Sequence, residues 1–230
     1  MQRLFKTILP ALAVAMVLTS AAQAAERTIR ILAFGDSLTQ GYGVPPGMDF
    51  PHVLETALKA KGLNVAVINA GVSGDTSAGG LARLDWSLAD GTNAPDAAIV
   101  ELGANDGLRV LSPAEMEKNL DGILTKLKAR HIPVLLAGMK APRNYGAAYA
   151  AEFDAVFPRL AKKYGALYYP FFLDGVALNA ALIQADGLHP NPKGVDVIVK
   201  NIAPLTTQLV QQVQKSAASA GMPAPAKSAR

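Results

Sequence analysis

Cysteine is absent from all 230 residues. That excludes a disulfide staple, a thiolate nucleophile and any cysteine-ligated metal site. Histidine is scarce: His52, His131 and His189 are the only three, so chemistry that needs an imidazole has three candidates. Charge of either sign is thin, with a formal net charge of +4. No Lys/Arg block and no aromatic–basic interleaving occurs, so nothing points to a nucleic-acid partner. Neither Gly41-Tyr42-Gly43 nor Gly79-Gly80 follows a strand with the glycine triplet of a dinucleotide site. The Gly-x-Ser-x-Gly elbow of α/β-hydrolases is missing as well. With half the residues apolar, a chain of this length holds one core by packing alone.

The first residues are set apart from that core. Arg3 and Lys6 precede an apolar run from Ile8 to Leu18, and small residues end in Ala22-Gln23-Ala24. A basic segment, a short apolar segment and an Ala-x-Ala site read as a secretory signal peptide over residues 1–24. A retained anchor needs some 20 apolar residues, and Pro10 and Thr19 shorten the run. Cleavage leaves an exported, periplasmic or secreted chain with no membrane span, and removing Arg3 and Lys6 lowers the charge from +4 to +2. At the other end, residues 215–230 are poor in large apolar groups and read as a disordered tail. One domain over residues 25–214 lies between.

Within it, strand and helix signals alternate. Ile29–Phe34, Val65–Ile68, Ala97–Leu102, Val134–Ala137 and Ala166–Tyr169 are short apolar runs that suit buried strands. Between them lie helical spacings, such as that of Phe50–Leu58 and the stripe of Leu81, Leu84 and Leu88. Ser112-Pro113-Ala114-Glu115 is a helix start, with a cap, an early proline and an acid three residues after the cap. The last helix runs from about Pro192 to Gln214, with a kink expected at Pro204. The pattern predicts an α/β domain whose parallel sheet is covered on both faces.

Ile29 to Gly43 is the stretch on which the chemistry centres. An apolar strand breaks at Gly35 into Asp36-Ser37, where open α/β sheets keep their sites. Asp-Ser before a helix is also ordinary capping chemistry. A serine nucleophile needs a base, and the three histidines differ in context. His52 falls at the opening turn of a helix and His131 in the lead-in to a strand. His189 follows Asp186 by three positions, with Gly187 between them and Pro190 after them. That turn is either a surface Asx-turn or a carboxylate reaching one ring nitrogen while the other points toward Ser37. Gly74, in a glycine-rich loop, and the side-chain amide of Asn105 are candidate donors to an oxyanion.

Four blocks in this order, Gly35-Asp36-Ser37-Leu38, Gly71-Val72-Ser73-Gly74-Asp75-Thr76, Gly103-Ala104-Asn105-Asp106 and Asp186-Gly187-Leu188-His189-Pro190, resemble those of the GDSL or SGNH hydrolases. The resemblance spans about Ile29 to Leu209. Val100–Arg109 and Ala141–Gly146 make it most similar to the small exported bacterial arylesterase, thioesterase and lysophospholipase group. It implies a three-layer α/β/α flavodoxin-like fold with strand order 2-1-3-4-5, and no metal or organic cofactor. It also implies a serine esterase acting on small-molecule or lipid esters. Ser37, His189 and Asp186 would be its triad, and Ser37, Gly74 and Asn105 its oxyanion donors. Leu108, Pro142 and Tyr145 are expected to wall the acyl groove. Asp36 is expected to be structural rather than titrating, Asp75 and Asp106 to brace loops, and Glu101 and Arg109 to pair. Two rivals are a carbohydrate O-acetyl esterase on the same scaffold and a secreted binding protein without turnover. The oligomeric state is left open.

Overall fold

The computed structural model describes residues 27–88 and 90–219; the signal-peptide segment lies outside them, as do residues 220–230. Five strands form one all-parallel sheet: β1 (Ile29–Gly35), β2 (Val65–Gly71), β3 (Ala97–Glu101), β4 (Val134–Ala137) and β5 (Leu167–Tyr169). Their order is β2-β1-β3-β4-β5, as the resemblance implies. Every side chain of β3 and β4 is buried, the expected signature of strands covered on both faces.

Among the described residues, seven α-helices supply the cover: α1 (Ser37–Gln40), α2 (Phe50–Lys59), α3 (Ser77–Ser87), α4 (Ala104–Leu108), α5 (Pro113–Ala129), α6 (Ala147–Tyr164) and α7 (Pro192–Ser219). α2 packs with α7 on one side of the sheet, and α3, α5 and α6 pack in sequence on the other. Phe34, Phe153, Phe157 and Phe172 are among the largest fully buried side chains. The capping chemistry is where the sequence places it. Ser112 Oγ accepts from the Glu115 main chain, with Pro113 in the first turn of α5.

α7 differs from expectation at its end. It continues through Pro204 and past Gln214 to Ser219, so residues 215–219 are helix rather than the start of a tail. Alanine and lysine are strong helix formers, and an established helix extends over them without large apolar anchors.

Register places the site. Gly35 of β1 lies opposite Gly71 of β2 and Glu101 of β3, and Glu101 lies opposite Ala137 of β4. The carboxyl ends of four strands are therefore level. The loops that carry Ser37, Gly74 and Asn105 leave the sheet side by side, with the β4 loop beyond them. β1 and β3 are neighbours, and the connections that leave them run to opposite sides, β1 to β2 and β3 to β4, which makes the crevice where open α/β sheets bind ligands.

Candidate active site

The serine turn is built on close packing. Gly35 has no room for a side chain: a Cβ there would run into Thr39 Oγ1 and lie 2.6 Å from both the main-chain oxygen and Oε2 of Glu101. Asp36 follows as the cap of α1, its Oδ1 accepting from Leu38 N at 3.0 Å. The capping duty thus falls on Asp36, and Ser37 Oγ is left for another partner. That partner is His189, whose Nε2 lies 2.9 Å from the hydroxyl.

A tight turn fixes the histidine. Gly187 adopts a positive φ of 74°. Asp186 Oδ1 accepts from the main-chain N–H of Leu188 at 2.9 Å and of His189 at 3.1 Å. Its Oδ2 lies 2.6 Å from His189 Nδ1. These bonds to two main-chain N–H groups and the ring hold the Asp186 carboxyl down at about 2. The turn is tied back on itself by Gln184 N donating to His189 O at 2.7 Å. It is tied to the serine turn by Gln184 Nε2 donating to Tyr42 O at 2.7 Å. The Tyr42 ring lies 4.6 Å from the imidazole, centroid to centroid.

Donors surround the hydroxyl. Ser37 and Gly74 line the same cavity, and neither main-chain N–H donates to an acceptor among the described residues. Gly74 itself has a φ of 83°. Asn105 lines the cavity too, but its amide is not idle. Nδ2 donates to Asp36 Oδ2 at 3.1 Å and to Asp75 O at 2.9 Å. Asn105 is a clamped donor that joins the loops after β1, β2 and β3.

Beneath the turn lies a pair of buried acids, and two expectations change here. Glu101 does not pair with Arg109. It is wholly buried, and its Oε2 accepts from Thr39 Oγ1 at 2.7 Å. Its Oε1 has no partner among the described residues. Burial, and then the nearby Asp36 charge, raise Glu101 well above the ordinary carboxylate range. A carboxyl at the last position of a strand covered on both faces is drawn inward with its strand. Arg109, on the exterior, reaches Gly74 O at 2.9 Å instead. Asp36 is structural, but it titrates: burial raises it to about 6, against the lowering influence of the Leu38 and Asn105 bonds.

The bracing roles hold. Asp106 accepts from both the main chain and the hydroxyl of Ser77, at 2.8 and 2.6 Å. Asp75 pairs with Arg83 at 2.5 Å. Sequence reading missed Arg83, whose Nη2 donates to Gly35 O at 2.8 Å while the guanidinium stacks 4.2 Å from the Phe34 ring. No local motif marks it, because its partners lie in other segments. The remaining histidines stand apart. His52 Nδ1 lies 2.7 Å from Asp49 Oδ2 at the start of α2, and His131 occupies the turn between α5 and β4. Among the described residues no cluster of three or more His, Cys, Asp or Glu is arranged to hold a metal.

The cavity has a volume of about 950 Å³ and a mostly apolar lining. Leu108, Pro142 and Tyr145 all line it, together with Met139 and Phe171. Tyr145 Oη donates to Leu108 O at 3.3 Å, joining the loops after β3 and β4 across the groove. Among the described residues, no aspartate or glutamate lines the cavity.

Comparison with known proteins agrees with this geometry. The profile of the GDSL-like lipase/acylhydrolase family matches residues 33–197. An esterase TesA of Pseudomonas aeruginosa is 38% identical over 188 residues, covering 82% of this chain and 92% of that protein. The thioesterase 1/protease 1/lysophospholipase L1 of Escherichia coli K12 is 39% identical over 194 residues, 83% of this chain and 90% of that one. Among solved structures, AlinE4, an SGNH-hydrolase family esterase, is 51% identical with a TM-score of 0.68, covering 79% of this chain and 96% of that one. The chain belongs to the GDSL-like lipase/acylhydrolase family and is a GDSL-type carboxylic ester hydrolase.

Proposed function

We propose that this enzyme hydrolyses esters through a Ser37–His189–Asp186 relay and an acyl-enzyme. The observation that carries the reading is the unbroken line from Asp186 Oδ2 to His189 Nδ1 (2.6 Å) and from His189 Nε2 to Ser37 Oγ (2.9 Å). Ser37 Oγ attacks the carbonyl carbon as its proton passes to His189 Nε2. The carbon–oxygen bond to the leaving group breaks, and Nε2 returns the proton to the departing alcohol. Water then adds to the acyl-enzyme, giving its proton to Nε2, and collapse releases the acid and restores Ser37. Asp186 keeps the imidazole in the tautomer that accepts at Nε2.

The oxyanion is held by the Ser37 and Gly74 main-chain N–H groups and by Asn105. Asn105 shares with the oxyanion the hydrogen it gives to the Asp75 carbonyl, while its bond to Asp36 anchors the amide. The groove walled by Leu108, Pro142 and Tyr145 takes the acyl chain, which supports aryl and short- to medium-chain acyl esters as substrates. Thioesters and lysophospholipids join the panel through the names of the relatives. The apolar lining favours these over acetylated carbohydrate. The N-terminal sequence supports export with cleavage after Ala24; no described helix is long and apolar enough to cross a membrane.

Hydrolysis of p-nitrophenyl butyrate by purified wild-type and Ser37→Ala proteins tests the assignment. The variant is expected to retain no measurable turnover. Wild-type rates in Ser37→Ala would overturn the relay.

A further inference from the structure

The mouth of the cavity carries an apolar collar that stands outside the hydrophobic core. Tyr42, Leu108, Val110, Leu111, Leu178 and Leu188 are all exposed. Four of the six line the cavity, and Val110 and Leu111 lie two and three positions beyond Leu108, after Arg109. Leu178 is 95% exposed.

Two members of the collar are also conformationally costly. Val110 has a φ of 53° and Leu178 a φ of 64°, the left-handed region that bulky L-residues avoid. Val110 N donates to Gly107 O and Leu111 N to Asp106 O. That is the Schellman closure of α4, whose left-handed position ordinarily takes glycine or asparagine. Valine there offsets little of the strain by burial, since it is 47% exposed. The loop is also firmly held, with Tyr149 Oη donating to Leu111 O at 2.9 Å. Its apolar side chains are presented by a fixed backbone.

Charge on the same rim is positive. Arg143 is neutralised by Asp154 at 2.6 Å. Lys140 has no carboxylate partner among the described residues, its Nζ lying 5.0 Å from the Phe171 ring centroid. Among the described residues, Arg109 bonds the Gly74 carbonyl and has no carboxylate partner. An apolar ring flanked by free cations fits the boundary of an anionic lipid layer, where aliphatic side chains enter the acyl region and cations meet headgroups.

We propose that this collar docks the enzyme on a lipid surface, so that esters enter the groove from an aggregate rather than from free solution. This rests on the esterase reading of the cavity and specifies how its substrate arrives.

The test is co-sedimentation of the wild type and a Val110→Asn/Leu178→Asn double variant with phosphatidylcholine vesicles, with and without phosphatidylglycerol. Asparagine suits the left-handed backbone, so the variant is expected to unfold at an equal or higher temperature. Its vesicle partition is expected to fall at least about tenfold, since two aliphatic anchors are lost. Wild-type binding should strengthen with phosphatidylglycerol and weaken with salt. The ratio of turnover on micellar p-nitrophenyl palmitate to that on dissolved p-nitrophenyl acetate should fall in the variant. Equal partition of the two proteins overturns the proposal. So does a wild-type dimer that the variant abolishes, which assigns the collar to a second copy. Failure of the esterase reading shows separately, as p-nitrophenyl acetate turnover that survives Ser37→Ala.

Discussion

Asp186 grips His189 twice, through the main-chain N–H and through the ring, at 3.1 and 2.6 Å. The double hold fixes the turn and the tautomer with one carboxylate, so geometry and proton placement are separable by substitution. In Asp186→Asn the amide oxygen still accepts from the main chain, but the amide nitrogen faces Nδ1 and favours the wrong tautomer. We expect kcat to fall by up to about 10⁴, with the fold retained by circular dichroism.

The same carboxyl sets an acid limit. Its folded value of about 2 lies below its ordinary 3.8. Its contribution to stability is therefore complete above pH 3.8, declines as the pH falls through this window, and is lost below about 2. Thermal unfolding followed from pH 5 to pH 2 should decline more steeply in the wild type than in Asp186→Asn over that interval.

Glu101 works in the opposite sense. Its folded value is raised, so the folded state keeps a proton that the unfolded chain releases once the pH passes the ordinary 4.5. Stability from this group falls as the pH rises from there toward its folded value. Glu101→Gln removes the titration while conserving volume. Its unfolding temperature relative to wild type should improve between pH 4 and pH 8; an offset independent of pH would count against the buried neutral acid.

Asn105→Ala removes a clamped donor and the Asp36 partner together. A loss of about 10²–10³ in kcat is expected, with a smaller change in KM. Equal losses in kcat for Asn105→Ala and for a variant at Asn144, which also lines the cavity, would show that the amide has no special place.

Gly35→Ala tests the packing under the serine turn. The added methyl meets Thr39 and Glu101, and overpacking of this kind costs about 1–3 kcal/mol. Chemical denaturation should show the loss, and activity should fall because Ser37 moves with the turn.

Tyr145→Ala opens the groove where Tyr145 joins Leu108. The preference of kcat/KM for octanoyl over acetyl p-nitrophenyl esters should drop by about tenfold, of the order that one or two methylenes contribute in an apolar pocket. An unchanged preference would remove Tyr145 from the acyl wall.

Much of the fold and of the candidate site is legible in the sequence. The apolar runs were short and bounded by turn residues, so the strands followed from them, whereas their order was implied only by the resemblance to the GDSL or SGNH hydrolases. The four chemistry-bearing blocks each sat after a strand or before a helix. What escaped depended on direction rather than position. Glu101 and Arg109 flank one loop, but strand pleat turns the first inward and solvent takes the second. Arg83 and Thr39 sit in unremarkable helical sequence and gain their roles from strands distant in the chain. Asn105 was recognised as a donor, while the acceptors that clamp it, Asp36 Oδ2 and the Asp75 carbonyl, became visible only when three loops were brought level.

Ser37 and His189 are separated by 152 positions, and the turn carrying the histidine is tied to the main chain of Tyr42 through Gln184. A ribosome therefore finishes the hydroxyl, both neighbouring loops and all five described strands before it adds the imidazole. Until that final segment docks, the serine is an ordinary alcohol, and on the proposed mechanism every chain truncated ahead of residue 186 is chemically silent toward the esters of the cell that makes it.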